Sequence, residues 1–285
     1  MCLDPGTASA KRMLARDAAT RANAMNPEQV RLAISLLAAH VLADFVIQTD
    51  KDVRHKNRFR VLLRHCLVAA SLSYLLSGFW PAWLVPLTIL VTHLALDLAK
   101  TKHLPARIRS FVLDQAAHFL VILVLSALLP SVMPALQQSF WQTTVGANFY
   151  AALIVLTGFV ITVQAGSVLV GFGVEPFLGE LHRDEATNDQ GVSQPGESRR
   201  KGFEQGGKVI GQLERATIFV LVLAGQPSAI GFLIAAKSLL RFGEIGAGAS
   251  RKEVEYIIIG TFMSFLLALV FSYITRFALL GYQGY

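Results

Sequence analysis

Apolar residues run along this chain in long stretches rather than in the short alternations of a soluble domain. Residues 147–172 contain no charged side chain, and neither do residues 256–275. A helix needs about 20 such residues to cross a bilayer. The pattern therefore predicts an all-α fold, a polytopic helical membrane bundle.

About eight transmembrane helices are predicted from the lengths and boundaries of the apolar runs. Glycine and proline turn signals at residues 78–81, 130–134 and 225–228 separate several of them. The sixth and seventh spans are short, and residues 216–236 could instead form one kinked span. The predicted spans cover residues 29–48, 61–79, 82–99, 110–130, 147–172, 208–224, 228–242 and 255–278.

The distribution of Lys and Arg predicts how the spans are oriented. Five basic residues occur in residues 50–60, whereas residues 77–82, 131–146 and 225–227 contain none. A one-sided distribution of this kind is the positive-inside signature. It predicts a multi-pass membrane protein with the basic loops in the cytoplasm and both termini outside.

Composition agrees with a membrane location. Hydrophobic residues make up 53% of the 285 residues and charged residues 16%, against about 25% charged residues in a typical soluble domain. The net charge of +7 is interpreted as loop charge that faces membrane lipid. No nucleic-acid partner is expected, and the sequence leaves the oligomeric state open.

Three regions follow from these patterns. Residues 1–27 are expected to be a disordered N-terminal tail or a start-site extension, because Met25 opens a more ordinary start. Residues 28–130 form a four-helix membrane domain that carries His and Asp side chains. Residues 131–285 form C-terminal membrane helices with a polar, flexible cytoplasmic loop near residues 179–206.

Ionisable residues lie inside the first four predicted spans, all toward the same end. Three of these spans carry a His and an Asp four residues apart, and residues at that spacing share one helical face. A rise of about 1.5 Å per residue places all seven within roughly 5–17 Å of the cytoplasmic edge. Ionisable groups in a membrane are costly and usually functional. The seven residues are His40, Asp44, His65, His93, Asp97, Asp114 and His118.

Imidazole and carboxylate together are the ligand set of Zn, Mn or Fe, and helical bundles build metal sites from facing helices. The sequence therefore predicts a divalent metal ion as cofactor. Asp114 is the candidate catalytic general base, or a residue that orients a ligand imidazole. In the simpler alternative, each His–Asp pair is a local hydrogen bond and Asp97 pairs with Lys100. The predicted metal ligands are His40, Asp44, His65, His93, Asp97 and His118.

A second polar set occurs in the C-terminal half. Arg215, Lys237 and Arg241 are predicted to bind an anionic or phosphate-bearing lipid headgroup. The alternative is a pair of structural salt bridges, one between Glu214 and Arg215 and one between Lys237 and Glu255.

The ordered motifs resemble a known sequence family. His40-x3-Asp44-Phe-x2-Gln48, His65, His93-x3-Asp97-x2-Lys100 and Asp114-Gln115-x2-His118 resemble the bacterial membrane family catalogued as domain of unknown function 3307. The resemblance covers roughly residues 35–120, and residues 210–215 and 237–241 look like segments of the longer members. It implies a location in the bacterial inner membrane and no established activity. A looser similarity is to inner-membrane metal-dependent hydrolases, which also place His and Asp on membrane helices.

Different function classes compete for these residues. The first is a membrane-embedded, metal-dependent hydrolase whose amphiphilic substrate, a lipid or isoprenoid phosphate, enters from the cytoplasmic leaflet. The second is a proton- or ion-coupled transporter that uses the same cluster as a relay. Clustering at one edge rather than at the midplane weighs mildly against transport. The third is a non-catalytic scaffold whose polar residues only hold the helices together.

Overall fold

The structure is a computed structural model that describes residues 26–103, 105, 107–133, 138–188, 206–245 and 251–283. All regular elements in these ranges are helical, as predicted, and no strand occurs among them. Residues 1–25 of the predicted tail and residues 189–205 of the predicted polar loop lie outside the described residues.

The described ranges contain eleven helices and two π-helical turns. The helices are α1 (Pro27–Leu42), α2 (Asp50–Arg54), α3 (Phe59–Ser77), α4 (Leu84–His103), α5 (Ile108–Val132), α6 (Phe140–Thr144), α7 (Ala147–Val160), α8 (Gly166–Asn188), α9 (Gly206–Leu223), α10 (Ala229–Ile245) and α11 (Arg251–Tyr282). The π turn Ala43–Ile47 continues α1, and the π turn Ile161–Ala165 joins α7 to α8.

Six helical segments in the described part of the chain are long and apolar enough to cross a membrane. They are Pro27–Ile47, Phe59–Ser77, Leu84–Lys102, Ile108–Pro130, Ala147–Glu180 and Arg251–Tyr282. The sixth and seventh predicted spans form two separate helices, α9 and α10, but neither meets that length and hydropathy. The helical membrane bundle is confirmed, whereas the expected count of about eight spans is not.

One helix continues beyond its predicted end. The sequence predicts a polar loop near residues 179–206, but α8 runs on to Asn188. Residues 179–188 contain Glu, Leu and Ala, which favour helix even where the apolar pattern stops.

The helix α1 lies at the centre of the bundle. It packs against α3 and α5 within the first half, and against α7 of the second half. The same face of α1 and its π turn carries both apolar core residues and residues of the predicted metal site. This face contains, at intervals of four, Leu32, Leu36, His40 and Asp44. The core residues are Leu32, Leu36, Ala70, Phe79, Ala82, Val85, Ile89, Ile122 and Leu129.

The second half is organised around α11, which packs against α7, α8 and α9. Its core residues are Ile218, Val222, Ile230, Phe265 and Ala268. The two halves meet where α1 contacts α7 and where the two π turns contact each other. A π turn widens the helix by one residue and is often found at functional sites.

Aromatic side chains mark the opposite end of the bundle from the His and Asp residues. Trp80, which follows α3, stacks on Phe140 with ring centroids 4.7 Å apart, and Trp141 stacks on Phe149 at 4.7 Å. Trp83, before α4, is exposed. Tryptophan is enriched at membrane–water interfaces, so this end is expected to lie at one membrane surface.

Replacing Gly158 by Ala is expected to lower the thermal stability of the bundle. The new Cβ would overlap the Thr275 hydroxyl group and lie 2.8 Å from Thr275 Cβ, so α7 and α11 would have to separate. Overpacking of this kind costs about 1–3 kcal/mol. Thermal unfolding in detergent, followed by tryptophan fluorescence, measures the change.

The matched control is Gly171→Ala on α8, where a Cβ would meet no atom within 4 Å. Its melting temperature should equal or exceed that of the unsubstituted protein, because Ala has a higher helix propensity than Gly. Equal melting temperatures for the two variants would contradict the close contact at Gly158.

Candidate metal centre

The seven predicted His and Asp side chains converge at one end of the first four long helices, and we call these seven residues the cluster. The contributing elements are α1 with its π turn (His40, Asp44), α3 (His65), α4 (His93, Asp97) and α5 (Asp114, His118). Six of the seven residues are buried and Asp44 is nearly so. Buried ionisable groups require a partner, either a countercharge, a hydrogen-bonding group or an ion.

Four ligand atoms form the tightest part of the cluster. His65 Nε2 lies 3.0 Å from His93 Nε2, 3.3 Å from Asp44 Oδ1 and 3.6 Å from Asp97 Oδ2. His93 Nε2 lies 3.6 Å from Asp44 Oδ1 and 3.9 Å from Asp97 Oδ2. Atoms that bind one tetrahedral zinc ion at 2.0–2.2 Å lie roughly 3–4 Å apart. We name His65, His93, Asp44 and Asp97 the ligand quartet.

Several atoms in the cluster are buried without a hydrogen-bond partner. They are His40 Nδ1, Asp44 Oδ1, Asp97 Oδ2 and His118 Nε2. Buried polar atoms are nearly always paired, so an unpaired set of this kind calls for an ion or a water. The imidazole and carboxylate donors fit a divalent Zn, Mn or Fe ion. Three overlapping triads have ligand atoms within 4.8 Å of one another: His40–Asp44–His93, His65–His93–Asp97 and Asp97–Asp114–His118.

Two more imidazoles flank the ligand quartet. His40 Nδ1 lies 3.6 Å from Asp44 Oδ1, and the His40 ring stacks on His118 at a centroid distance of 4.8 Å. A cavity of about 20 Å³ borders His40, His93 and His118. That volume holds about one water molecule, so this side of the cluster has room for a single small species.

Two lysines pair with two of the three carboxylates. Lys56 Nζ lies 2.9 Å from Asp97 Oδ1, and Lys100 Nζ lies 2.6 Å from Asp114 Oδ2. The alternative pairing of Asp97 with Lys100 is therefore wrong, because Lys100 reaches across to α5 and Lys56 reaches back from the loop after α2. With neutral imidazoles, the three carboxylates exceed the two ammonium groups by one negative charge, and Asp44 is the carboxylate without a lysine.

The short helix α2 positions Lys56. Thr49 and Asp52 form a capping box, in which the Asp52 N–H donates to Thr49 Oγ1 at 3.2 Å and the Thr49 N–H donates to Asp52 Oδ2 at 3.1 Å. Hydrogen bonds from the Thr49 hydroxyl and backbone, with the charge of Arg64, hold the pKa of Asp52 below its usual range. Lys56 follows α2 and is itself buried.

Gln115 links His40 to Asp44. Its Oε1 lies 3.3 Å from His40 Nε2, and its Nε2 donates to Asp44 Oδ2 at 3.2 Å. Hydrogen bonds to ligand side chains fix their orientation. Sequence reasoning assigned no role in the site to Gln115 or Lys56. The place of Gln115 beside Asp114 in the motif could have indicated it, whereas nothing distinguishes Lys56 from the other basic residues of its loop.

Arg215 is buried at the junction of the two halves. Its Nε and Nη2 donate to the Val163 carbonyl at 3.3 and 3.1 Å, and its Nη1 donates to Ser264 Oγ at 2.9 Å. Val163 belongs to the π turn Ile161–Ala165. Arg215 is 2% exposed, so its guanidinium is fixed by a carbonyl and a hydroxyl group.

The predicted salt bridges in this half are wrong. Lys237 Nζ pairs with Glu214 Oε2 at 2.5 Å, and Arg251 pairs with Glu255 at 2.9 Å. Neighbours i and i+1 on a helix point in different directions, so Glu214 faces α10 while Arg215 faces the π turn.

The third predicted headgroup residue is only partly described. Arg241 belongs to α10, and its side chain lies outside the described part of the structure. Its predicted contact with a headgroup therefore stays a prediction.

A cavity of about 1050 Å³ joins the two halves. One side is lined by Asp44, Lys56, Lys100 and Gln115, and the other by Gln164, Glu214, Arg215 and Lys237. Apolar wall residues include Phe45, Val168, Phe172, Ile210 and Ile257. Asp44 thus shares one space with two of the three predicted headgroup-binding residues, Arg215 and Lys237.

Comparison with known proteins gives a family match over part of the chain and no relative of known function. No curated protein and no solved structure matches the chain. The family described as protein of unknown function, DUF3307, matches residues 32–146. The matched range contains most of α1, all of α2 to α6 and the whole His and Asp cluster. Residues 32–146 therefore match the same family that the motifs resemble.

Proposed function

We propose that this protein is a membrane-embedded, metal-dependent hydrolase of the bacterial inner membrane. Its substrate is an amphiphilic phosphate ester, such as a phospholipid or an isoprenoid phosphate. The observation that carries the proposal is the ligand quartet, in which each imidazole nitrogen lies 3.0–3.9 Å from the other imidazole and from both carboxylates. One of these carboxylates, Asp44, lies on the wall of a large cavity. A catalytic metal site needs both protein ligands and a route for substrate.

His65, His93, Asp44 and Asp97 would hold one divalent ion such as Mn or Fe, whose coordination number above four leaves a position for water. A metal ion in such a site supplies Lewis acidity, which activates water for attack at neutral pH. Asp44 lines the cavity, so the open side of the site faces the space where substrate would lie.

His40 is the side chain best placed to accept a proton. Its Nδ1 is unpaired and lies 3.6 Å from Asp44 Oδ1, while Gln115 holds its Nε2. Asp114, the predicted general base, is tied to Lys100, and its backbone carbonyl lies 2.9 Å from His118 Nδ1. Asp114 therefore suits the alternative role of orienting an imidazole.

The cavity suits an amphiphilic molecule. Its apolar wall would cover a hydrocarbon tail, and its charged ends would receive a polar head. Arg215 has no carboxylate within ion-pair distance among the residues that the structure describes. Its charge would therefore be available to an anionic group, whereas Lys237 would first have to leave its pair with Glu214. A contact of Arg241 with the same group stays a prediction.

We expect protein purified without a polyhistidine tag to contain stoichiometric divalent metal and to release phosphate from a long-chain alkyl phosphate. His65→Ala should lose both properties, because His65 Nε2 contacts all three other members of the ligand quartet. Elemental analysis and a phosphate-release assay measure the two effects.

The control for this substitution is His55→Ala. His55 is exposed, and its ring contacts the Lys51 carbonyl through Nδ1 rather than any member of the cluster, so metal content and hydrolysis should not change. Equal metal content in His65→Ala and the unsubstituted protein would contradict the metal site.

Gln115→Leu should weaken metal binding by about 10–100-fold, the usual effect of losing an outer hydrogen-bond partner. The substitution removes the contacts that orient His40 and Asp44. Gln164→Leu is the control, since Gln164 lines the same cavity but pairs with Gln212 at 2.9 Å. Titration of the metal-free variants with Mn²⁺ would show equal affinities if Gln115 had no such role.

The proposed orientation can be tested by labelling with a membrane-impermeant maleimide in intact cells. In a Cys2→Ser background, Gln138→Cys should react from outside, whereas Lys51→Cys should react only after the membrane is opened. Both positions are exposed, and Cys66 is buried. Labelling in the opposite order would show that the His and Asp cluster lies toward the outer face.

A further inference from the structure

Lys56 and Lys100 are the cations closest to the ligand quartet. Each is bonded to a carboxylate of the cluster, at 2.9 Å to Asp97 and 2.6 Å to Asp114. Both lysines line the large cavity. Asp97 and Asp114 are 1% and 5% exposed, so the ammonium groups lie between these carboxylates and the cavity.

We infer that Lys56 and Lys100 form the subsite for the dianionic phosphoryl group of the substrate, and that this subsite binds anions only when the ligand quartet holds a metal ion. The inference rests on the proposed function and adds to it the residues that bind the phosphoryl group of the substrate beside the ligand quartet.

The net charge of the cluster makes binding of a phosphoryl group depend on a bound metal ion. Three carboxylates and two ammonium groups leave the cluster with one net negative charge when the imidazoles are neutral. A phosphoryl dianion would be repelled from that state. One divalent cation reverses the sign to one net positive charge, and in a poorly hydrated site such a change acts strongly on a nearby anion.

The Asp97 carboxylate links metal binding to phosphate binding directly, because Lys56 and the ligand quartet share it. Its Oδ1 accepts a hydrogen bond from Lys56, and its Oδ2 belongs to the ligand quartet. A metal ion on Oδ2 would draw negative charge away from Oδ1 and loosen its hold on Lys56. An ammonium group has three N–H donors, so Lys56 can turn donors toward a phosphoryl oxygen in the cavity.

Lys237 and Arg215, on the opposite side of the cavity from Asp44, are less suited to bind the phosphoryl group that reacts. Lys237 pairs with Glu214 at 2.5 Å, a carboxylate outside the His and Asp cluster, so a metal ion in the ligand quartet would not loosen that pair. The Arg215 guanidinium already donates to Val163 and Ser264. Lys is a common phosphate ligand as a point charge, and only Lys56 and Lys100 pair with the cluster among the described residues.

The test measures binding of radiolabelled inorganic phosphate to the full chain in phosphatidylcholine nanodiscs, with and without bound Mn²⁺. Phosphate should bind to the Mn²⁺-loaded protein and not to the metal-free protein. Lys56→Gln and Lys100→Gln should each weaken phosphate binding about tenfold or more, the effect expected for one lost charge-assisted hydrogen bond.

The same two variants should bind Mn²⁺ more tightly, because each loses a cation that competes for a cluster carboxylate. This opposite effect on the two ligands separates the subsite from a merely structural role, which would weaken both. Lys56→Arg should retain phosphate binding. Lys208→Gln is the matched control, since Lys208 lines the cavity but pairs with Asp50 at 3.6 Å on the surface.

Phosphatidic acid added to the nanodiscs distinguishes the source of the phosphoryl group. Displacement of inorganic phosphate by this lipid indicates a lipid headgroup, and lack of displacement indicates a soluble phosphate ester. If the protein takes up Mn²⁺ but binds no phosphate, the inference alone is overturned. The same holds if phosphate binds equally well to the metal-free protein, or equally well to both Lys→Gln variants. Absence of Mn²⁺ uptake overturns the proposed function and this inference together.

Discussion

The cost of burying carboxylates in a membrane bundle governs the architecture of this protein. Asp44, Asp97 and Asp114 lie within a four-helix group whose outer surface is apolar, and an unpaired charge there would cost several kcal/mol. Lys56 and Lys100 compensate two of them. The third is surrounded by imidazole nitrogens and by the Gln115 amide, so the cluster is stable only as a complete network or with a bound cation.

Helix geometry explains which parts of the site could be predicted. The four-residue spacing fixes His40 and Asp44, or His93 and Asp97, on one face, and rise per residue fixes their depth. These quantities are local, so the convergence of the seven side chains was expected from the sequence. His65, on a helix without a partner Asp, is more central than its isolated position suggested, because its Nε2 contacts the other three members of the ligand quartet.

Contacts between elements could not be predicted in the same way. The partner of a long lysine depends on how neighbouring helices are rotated and how a loop folds back, as the pairing of Lys56 with Asp97 shows. The same holds for Glu214, which pairs with Lys237 on α10 rather than with the adjacent Arg215. The smaller number of spans has a local cause instead, since α9 carries Lys208, Glu214 and Arg215 and α10 has only 17 residues.

The contact between Arg215 and the second π turn links two features that would each be unfavourable alone. A guanidinium needs acceptors when it is shielded from water, and a distorted helix at membrane depth needs donors for its carbonyl groups. The Val163 carbonyl and Arg215 satisfy each other. In evolution the extra residue of the turn and the arginine would then be gained or lost together, so that related chains with a regular helix here would carry an uncharged side chain at this position.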